Sequence, residues 1–156
     1  MRLILVRHAK AEDREEWGEK DDLKRPLTKK GKKQAKKIAK YIADKYPNVD
    51  VIISSVATRA CATAKQITKL QSNAAFFLSP HINPDRGAEG IILHKDEMRE
   101  NWQTIVIIGH EPAISNVALL LCSNTNDFKL KVGKGAVVEL ERTNDGIWRL
   151  VGLRNH

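Results

Sequence analysis

The chain has 156 residues, a length that one compact domain of ordinary size would occupy, and 42% apolar residues are enough to fill a core. It carries 27 lysines and arginines against 19 acids, and this formal charge of +8 raises the question of a nucleic-acid partner. The first apolar run, residues 3–6, is too short for a secretory signal, and no later stretch has the length of a membrane span. We expect a single domain over residues 1–156, a cytoplasmic location and no membrane contact.

The first elements in chain order are a strand, a charged segment and a basic helix. Residues 3–6 form a continuous apolar run that stops at Arg7 and His8, which predicts a buried strand. Residues 10–25 hold seven acids around Trp17 without any periodicity, and we expect a surface loop there. Thr28 can cap the helix that follows.

Eight lysines fall between residues 29 and 45, where the apolar residues recur at helical spacing. This pattern predicts an amphipathic helix that ends near Pro47, because proline cannot continue it. We expect its lysines to form a solvated face, since nucleic-acid-binding proteins usually add aromatic stacking residues and aromatics make up only 5% of this chain.

The middle of the chain repeats the alternation of strand and helix. Residues 51–53 predict a second buried strand, and Ser55 is a plausible cap for a helix that continues to about Leu70. Residues 75–78 predict a third strand, which leads into a turn.

The next helix is expected from Asp85 or Gly87 to about Glu100. Residues 105–108 then form a fourth apolar run, and Pro112 suits the first position of a following helix.

The C-terminal part of the chain has a different pattern. Apolar and polar residues alternate in residues 136–142 and 147–153, with Asp145-Gly146 between the two segments. An Asp-Gly pair between two alternating segments predicts an antiparallel hairpin. The order of elements predicts an α/β fold, a three-layer α/β/α sandwich whose mainly parallel sheet ends in this C-terminal antiparallel hairpin.

Basic side chains follow three of the predicted strands. Arg7 and His8 come after the first strand, Arg59 lies early in the helix after the second, and His110 follows the fourth. Because ligands of such sheets bind beyond the carboxyl ends of parallel strands, these groups should face one cleft. Two arginines, two histidines and a helix amino terminus suit an anion, and phosphate above all.

Histidine adds a chemical possibility to such a site. A neutral histidine can attack phosphorus, and water can hydrolyse the resulting phosphohistidine. Taken singly, Arg7 is better explained as a surface charge at a strand end and His8 as a structural histidine. Their convergence on one edge of the sheet favours the functional interpretation.

Four segments resemble the histidine phosphatase superfamily, whose fold is phosphoglycerate-mutase-like. They are residues 5–9 with Arg7-His8, residues 25–31, residues 54–64 with Arg59, and residues 109–112 with His110. Within the superfamily the short chain is similar to the SixA-type phosphohistidine phosphatases.

The resemblance implies a role for each matching position. His8 would be the phosphorylated nucleophile, Arg7 and Arg59 would bind the phosphoryl oxygens, and His110 would stabilise the transferring group. Arg25 either reaches the edge of the site or forms a structural salt bridge with the acidic segment. The five histidines of the chain show no metal-ligand spacing, so we expect neither a metal nor another cofactor, and activity should survive a chelator.

Two positions depart from the family pattern. Ala9 stands where many members have glycine, which is harmless if its φ is negative. No carboxylate aligns with the proton donor of many ester-cleaving members; Asp85 is the best candidate, followed by Glu12 and Glu89. A poor proton donor in the site favours P–N over P–O substrates, because a nitrogen leaving group depends less on protonation by the protein than an alkoxide does.

Three hypotheses about function follow. The first is a metal-independent phosphatase that removes phosphate from phosphohistidine in a protein, with a histidine-phosphotransfer domain among the candidate partners. The second is a phosphatase of the same superfamily that acts on a small phosphate ester. The third is a non-enzymatic module that binds nucleic acid or another anion through the lysine-rich helix. The presence of His8, Arg7, Arg59 and His110 together argues against it.

Overall fold

A computed structural model of the chain describes residues 1–96, 101–122 and 129–156. The strands are β1 (Arg2–Arg7), β2 (Val51–Ser55), β3 (Ala75–Ser79), β4 (Thr104–Gly109), β5 (Val137–Arg142) and β6 (Trp148–Arg154). The helices are α1 (Arg14–Trp17), α2 (Lys29–Lys45), α3 (Thr58–Leu70), α4 (Gly87–Asp96) and α5 (Ala113–Leu121), with 3₁₀ turns at Asp22–Lys24 and Pro80–Ile82.

The strands form one six-stranded sheet in the order β3-β2-β4-β1-β5-β6. β1 runs parallel to β4, β4 to β2, and β2 to β3. β5 is antiparallel to β1 and β6 is antiparallel to β5. The predicted α/β fold, with a mainly parallel sheet and a C-terminal hairpin, is confirmed.

Two apolar cores lie on opposite faces of the sheet. On one face, Leu3 and Leu5 of β1 pack with residues of α4 and α5. On the other face, Ile4 and Val6 of the same strand pack with residues of α2 and α3. A strand covered on both faces needs apolar side chains in both directions, and this explains the unbroken apolar runs of β1 and β4.

The predicted boundaries agree with the structure at most elements. Each of the four parallel strands contains its predicted apolar run and extends past it by one or two residues. Thr28 caps α2, since its Oγ1 accepts the N–H of Gly31 at 2.9 Å, and α2 ends two residues before Pro47. In the hairpin, Gly146 has a φ of 85°, a left-handed conformation that glycine adopts without strain.

The charged segment over residues 10–25 differs from the predicted surface loop. Asp13 caps the single-turn helix α1, because its Oδ1 accepts the N–H groups of Glu15 and Glu16 at 2.8 and 3.2 Å. A 3₁₀ turn capped by Asp21 follows. Elements of one turn are too short to show periodicity, and this is why the sequence pattern missed them.

Two predicted helix starts are wrong. Ser55 is the last residue of β2, and the N-cap of α3 is Ala57, which provides no side-chain hydrogen bond. Pro112 is the N-cap of α5, one residue before the predicted position. The helix expected from Asp85 or Gly87 begins at Gly87, and its predicted end near Glu100 lies outside the described residues. No described helix is long and apolar enough to span a membrane.

Candidate active site

A cavity of about 200 Å³ lies at the carboxyl ends of β1 and β4, where the sequence predicted an anion site. Its lining holds four arginines, two histidines and a lysine against two acids. The lining residues are Arg7, His8, Asp13, Arg14, Arg25, Arg59, Pro84, His110, Glu111 and Lys134. The structure therefore brings together all four side chains that the motifs had placed at one site.

A larger cavity of about 560 Å³ lies at the opposite end of the sheet, near Arg2 and Thr104, where β1 and β4 begin. Its lining contains no histidine, and its charged residues include Lys45 and Glu139, which form an ion pair with each other. Size alone does not identify the functional site here; the smaller cavity has the convergent charged groups.

The backbone around His8 is fixed from both sides. Its N–H donates to the carbonyl oxygen of Gly109 at 3.1 Å, and its own carbonyl accepts from the N–H of Gly135 at 3.0 Å. Arg7, the last residue of β1, donates from Nη1 to the carbonyl of Val132 at 2.8 Å. The end of β4 and the segment before β5 thus position the two residues that begin the site.

The His8 ring is held in one tautomer. Its Nδ1 lies 2.8 Å from the carbonyl oxygen of Ala9, and because a carbonyl can only accept, Nδ1 carries the proton. Burial, and to a smaller extent the charges of His110, Arg59 and Arg7, lower the pKa of His8 to about 2 despite that hydrogen bond. The neutral ring has a free lone pair on Nε2, which is what a nucleophile needs.

Arg59 is fixed through the charged segment. Its Nη1 donates to the carbonyl oxygen of Asp22 at 2.8 Å, and its Nη2 donates to Asp22 Oδ2 at 3.0 Å. The Arg59 side chain is only 1% exposed, so this contact compensates a charge that is largely removed from water.

The His110 ring lies beside the His8 ring at the cavity, with 5.1 Å between the ring centroids and 53° between the ring planes. Its Nε2 lies 2.9 Å from Ser55 Oγ. Burial lowers the pKa of His110 to about 3, and the nearby Arg59 acts in the same direction. Both histidines are therefore neutral near pH 7 when the site holds no anion.

Three buried nitrogens of the cavity residues have no hydrogen-bond partner among the described residues. They are Arg7 Nε, Arg59 Nε and His110 Nδ1. An unsatisfied buried polar atom costs about 1–3 kcal/mol, so three at one site need an explanation. An oxyanion that accepts hydrogen bonds there would compensate the arginine nitrogens.

Comparison with known proteins agrees with this arrangement. The sequence model of the histidine phosphatase superfamily (branch 1) matches residues 3–81, which is just over half of the chain and includes Arg7, His8 and Arg59. The chain belongs to the histidine phosphatase superfamily. It is a phosphatase of this superfamily, and its substrates are phosphorylated compounds.

Solved structures share its fold over nearly the whole chain. A protein of Agrobacterium tumefaciens assigned as the phosphohistidine phosphatase SixA is 21% identical, with a TM-score of 0.83 over 99% of this chain and 97% of that one. The protein histidine phosphatase SixA in complex with tungstate is 16% identical, with a TM-score of 0.84 over the same shares. Phosphoserine phosphatase of Entamoeba histolytica, in complex with 3-phosphoglyceric acid, is 21% identical, with a TM-score of 0.71 over 99% and 97%. At these identities the likeness shows the fold.

The departure of Ala9 from the superfamily pattern has a structural answer. No non-glycine residue in the described ranges has a positive φ, so an alanine fits this backbone without strain. The Ala9 N–H donates to Thr63 Oγ1 at 3.0 Å, and Thr63 Oγ1 in turn donates to the Arg59 carbonyl at 2.8 Å. Thr63 thus ties the His8 segment to the helix that carries Arg59.

Arg25 reaches the site and also forms the salt bridge that the sequence suggested. It lines the cavity, its Nε contacts Asp22 Oδ1 at 3.0 Å, and its Nη1 donates to the Glu12 carbonyl at 2.7 Å. The two alternatives for Arg25 are therefore compatible.

The candidate proton donors are not at the cavity. Asp85 and Glu89 are exposed, and neither they nor Glu12 line it. The two carboxylates that do line it, Asp13 and Glu111, were not among the candidates.

Both lining carboxylates already serve as caps. Asp13 caps α1, and Glu111 accepts the N–H and the hydroxyl of Ser115 at 2.9 and 2.7 Å. A glutamate that directly follows a motif histidine and precedes a serine by four residues is a pattern that could have indicated Glu111. Within the described parts of the chain, no group of three or more His, Cys, Asp or Glu side chains could hold a metal ion.

Proposed function

We propose that the chain removes phosphate from phosphohistidine in a protein, through a covalent phosphohistidine intermediate on His8. The observation that carries this proposal is the neutral His8 ring, with Nδ1–H bound to the Ala9 carbonyl and Nε2 free, in a cavity lined by Arg7 and Arg59. A nucleophile between two permanent cations suits attack on a phosphoryl group.

The proposed reaction has two transfers at phosphorus. In the first, the Nε2 lone pair of His8 forms a bond to phosphorus while the bond from phosphorus to the substrate nitrogen breaks and leaves its electron pair on that nitrogen. In the second, water attacks the phospho-His8, the P–N bond returns its electron pair to Nε2, and the proton lost by water leaves with phosphate or solvent. Arg7 and Arg59 would hold the phosphoryl oxygens in both steps, and Arg25 would contribute at the edge of the site.

The state of the lining carboxylates favours P–N cleavage. An alkoxide leaving group needs a proton from a well-placed acid, whereas an imidazole nitrogen leaves with less help. Asp13 Oδ1 and Glu111 Oε1 already accept hydrogen bonds from backbone N–H groups at the starts of α1 and α5, so both carboxylates have a structural role. The shared fold with two SixA structures supports the same substrate class.

The second candidate function is hydrolysis of a small phosphate ester. The exposed Arg14 and Lys134 on the cavity lining favour it, because they could hold a second acidic group of a small substrate. The shared fold with a phosphoserine phosphatase supports it as well.

The test is phosphate release from a phosphohistidine peptide and from p-nitrophenyl phosphate, with a chelator present throughout. We expect turnover of the peptide with the larger kcat/KM, and loss of turnover by at least about 10³-fold in His8→Ala. His81→Ala, which removes an exposed histidine outside the cavity, is the matched control and should retain the activity. Equal or reversed kcat/KM values would favour the small-ester candidate, and an active His8→Ala would overturn the proposed nucleophile.

A further inference from the structure

Ser55, at the end of β2, has three hydrogen-bond partners. Its Oγ lies 3.0 Å from Asn83 Oδ1, 2.9 Å from His110 Nε2 and 3.2 Å from the backbone N of Ala57. Ser55 is completely buried, and Asn83 Oδ1 also accepts the backbone N–H of Val56 at 3.1 Å. These contacts connect the second histidine of the cavity to the turn that precedes α4.

Only one arrangement of protons satisfies all of these contacts. The Val56 N–H requires an acceptor, so the Asn83 atom facing it is the oxygen, and that oxygen cannot donate to Ser55. The single hydroxyl proton of Ser55 must therefore point to Asn83. Ser55 Oγ then accepts from the Ala57 N–H and from His110, and so His110 carries its proton on Nε2.

The other ring nitrogen of His110, Nδ1, is then an acceptor. In the neutral ring Nδ1 has a lone pair and no proton, and it is buried without a partner among the described residues. A lone pair that meets the oxygen of a phosphoryl dianion is repelled, because both atoms are acceptors. One more proton is needed to turn this contact into a hydrogen bond.

We propose that Ser55 and Asn83 fix the His110 proton on Nε2, so that a phosphoryl dianion enters the cavity together with one proton held between His110 Nδ1 and a phosphoryl oxygen. Ser55 and Asn83 are positioning residues in this arrangement, and His110 is the group that contacts the phosphoryl oxygen. The inference rests on the proposed function, which places the phosphoryl group in this cavity.

The charges around His110 fit the proposal. Arg59, Arg7 and Arg25 disfavour an imidazolium there, and Asp22 only partly offsets them. His8 is the other ring of the pair, and Glu111 follows His110 directly in the chain. A phosphoryl dianion adds two negative charges beside these groups, which offsets the arginine charges and favours a proton on His110.

The first experiment measures proton uptake when inorganic phosphate binds. It uses calorimetry at about pH 8.5, well above the second pKa of a phosphate group, in buffers of different ionisation enthalpy. His8→Ala is the background for every variant, so that His110 is the histidine left at the cavity. We expect uptake of about one proton per phosphate bound.

Two variants release the constraint on the tautomer. In Ser55→Ala and in Asn83→Ala, neutral His110 can move its proton to Nδ1 and donate to phosphate directly, and the uptake should fall to well below about half a proton. Ser54→Ala is the matched control: Ser54 is a buried neighbour whose hydroxyl donates to the Ser55 carbonyl, and this variant should keep the uptake.

The second experiment reads the tautomers directly, by ¹⁵N NMR of the histidine rings in the phosphate-free wild-type protein. His8 should show a protonated Nδ1 and His110 a protonated Nε2, and this result does not depend on any variant folding. A protonated Nδ1 on neutral His110, or phosphate binding without proton uptake, would overturn the proposal. Failure of phosphate to bind at all would instead overturn the proposed function.

Discussion

Asp22 contacts Arg59 at two points, with its carboxylate Oδ2 3.0 Å from Nη2 and its backbone oxygen 2.8 Å from Nη1. The other carboxylate oxygen contacts Arg25 Nε at 3.0 Å. Although partial burial raises the pKa of Asp22, the hydrogen bonds and charges of Arg25 and Arg59 outweigh it and hold that pKa below its usual value. One acid of the charged segment thus orients two arginines of the cavity.

Asp22→Ala should lower kcat/KM by about 10- to 100-fold, because Arg59 would lose one of two fixed contacts and its buried charge would lose compensation. Asp22→Asn keeps an acceptor of similar shape, so its kcat/KM should fall less than that of Asp22→Ala. Steady-state kinetics on the phosphohistidine peptide measures both. Glu19→Ala, an exposed acid of the same segment, is the control and should be unchanged. Tighter phosphate binding with an unchanged kcat in Asp22→Ala would show instead that Asp22 only competes with the substrate.

The free energy of unfolding should decrease as the pH is lowered below about 6.5. The pKa values of His8 and His110 are lowered to about 2 and about 3, whereas an unfolded histidine titrates near about 6.5. Both are neutral in both states at higher pH, and there they contribute no pH dependence. As the pH falls through about 6.5, only the unfolded chain binds the protons, and stability decreases by up to about 1.4 kcal/mol per pH unit for each histidine.

Urea unfolding between about pH 7.5 and 5 measures this dependence. The pKa values of Asp22 and Glu139 are below their usual range, so the stability that these carboxylates contribute is lost only in more acidic solution. The chosen pH window therefore excludes their titration. The double variant His8→Asn/His110→Gln should have a flatter profile in this window. His81→Gln, at an exposed site, should keep the wild-type slope, and an unchanged slope in the double variant would contradict the assignment.

The strands and the residues that follow them could be predicted because both depend on local pattern. A strand buried on both faces requires an unbroken apolar run, and the carboxyl ends of parallel strands meet at one edge of the sheet. Arg7, His8 and His110 directly follow such runs, so their convergence followed from the alternation of strands and helices.

The partners of these residues could not be predicted in the same way. Asp22 meets Arg59 across 37 positions of the chain, and Asn83 meets Ser55 across 28. No periodicity or spacing relates such pairs, which come together only when the segments before α2 and α4 pack against the strand ends. A serine after an apolar run fits the pattern of a helix cap, and the sequence therefore predicts that role for Ser55, whereas its hydroxyl oxygen contacts His110.

Glu111→Gln should change kcat/KM by less than about threefold on both test substrates. Its two oxygens are bound by the N–H and the hydroxyl of Ser115, and a glutamine can keep the first of these contacts. Asp13→Asn should behave similarly, since its Oδ1 caps α1. A loss of more than about tenfold on an alkyl phosphate, with p-nitrophenyl phosphate unaffected because its phenolate leaves without a proton, would identify the substituted residue as a proton donor to the leaving group.

Gly31→Ala should destabilise the protein, although glycine to alanine inside a helix normally stabilises by about 1 kcal/mol. A Cβ at this position would lie 1.9 Å from the carbonyl oxygen of Lys10, a backbone atom that also accepts the N–H of Thr28 at 3.0 Å. The first turn of α2 therefore rests directly on the backbone two residues after His8, and the clash must displace one of the two.

We expect the free energy of unfolding of Gly31→Ala to fall by about 1–3 kcal/mol in urea titration, with a parallel loss of kcat because the His8 segment moves. Lys32→Ala, at the next and exposed position of the same helix, controls for the change in helix composition and should be close to neutral. A stabilised Gly31→Ala would mean that α2 can move away from Lys10 at little cost. The packing of this helix against the strand end would then not contribute to positioning His8.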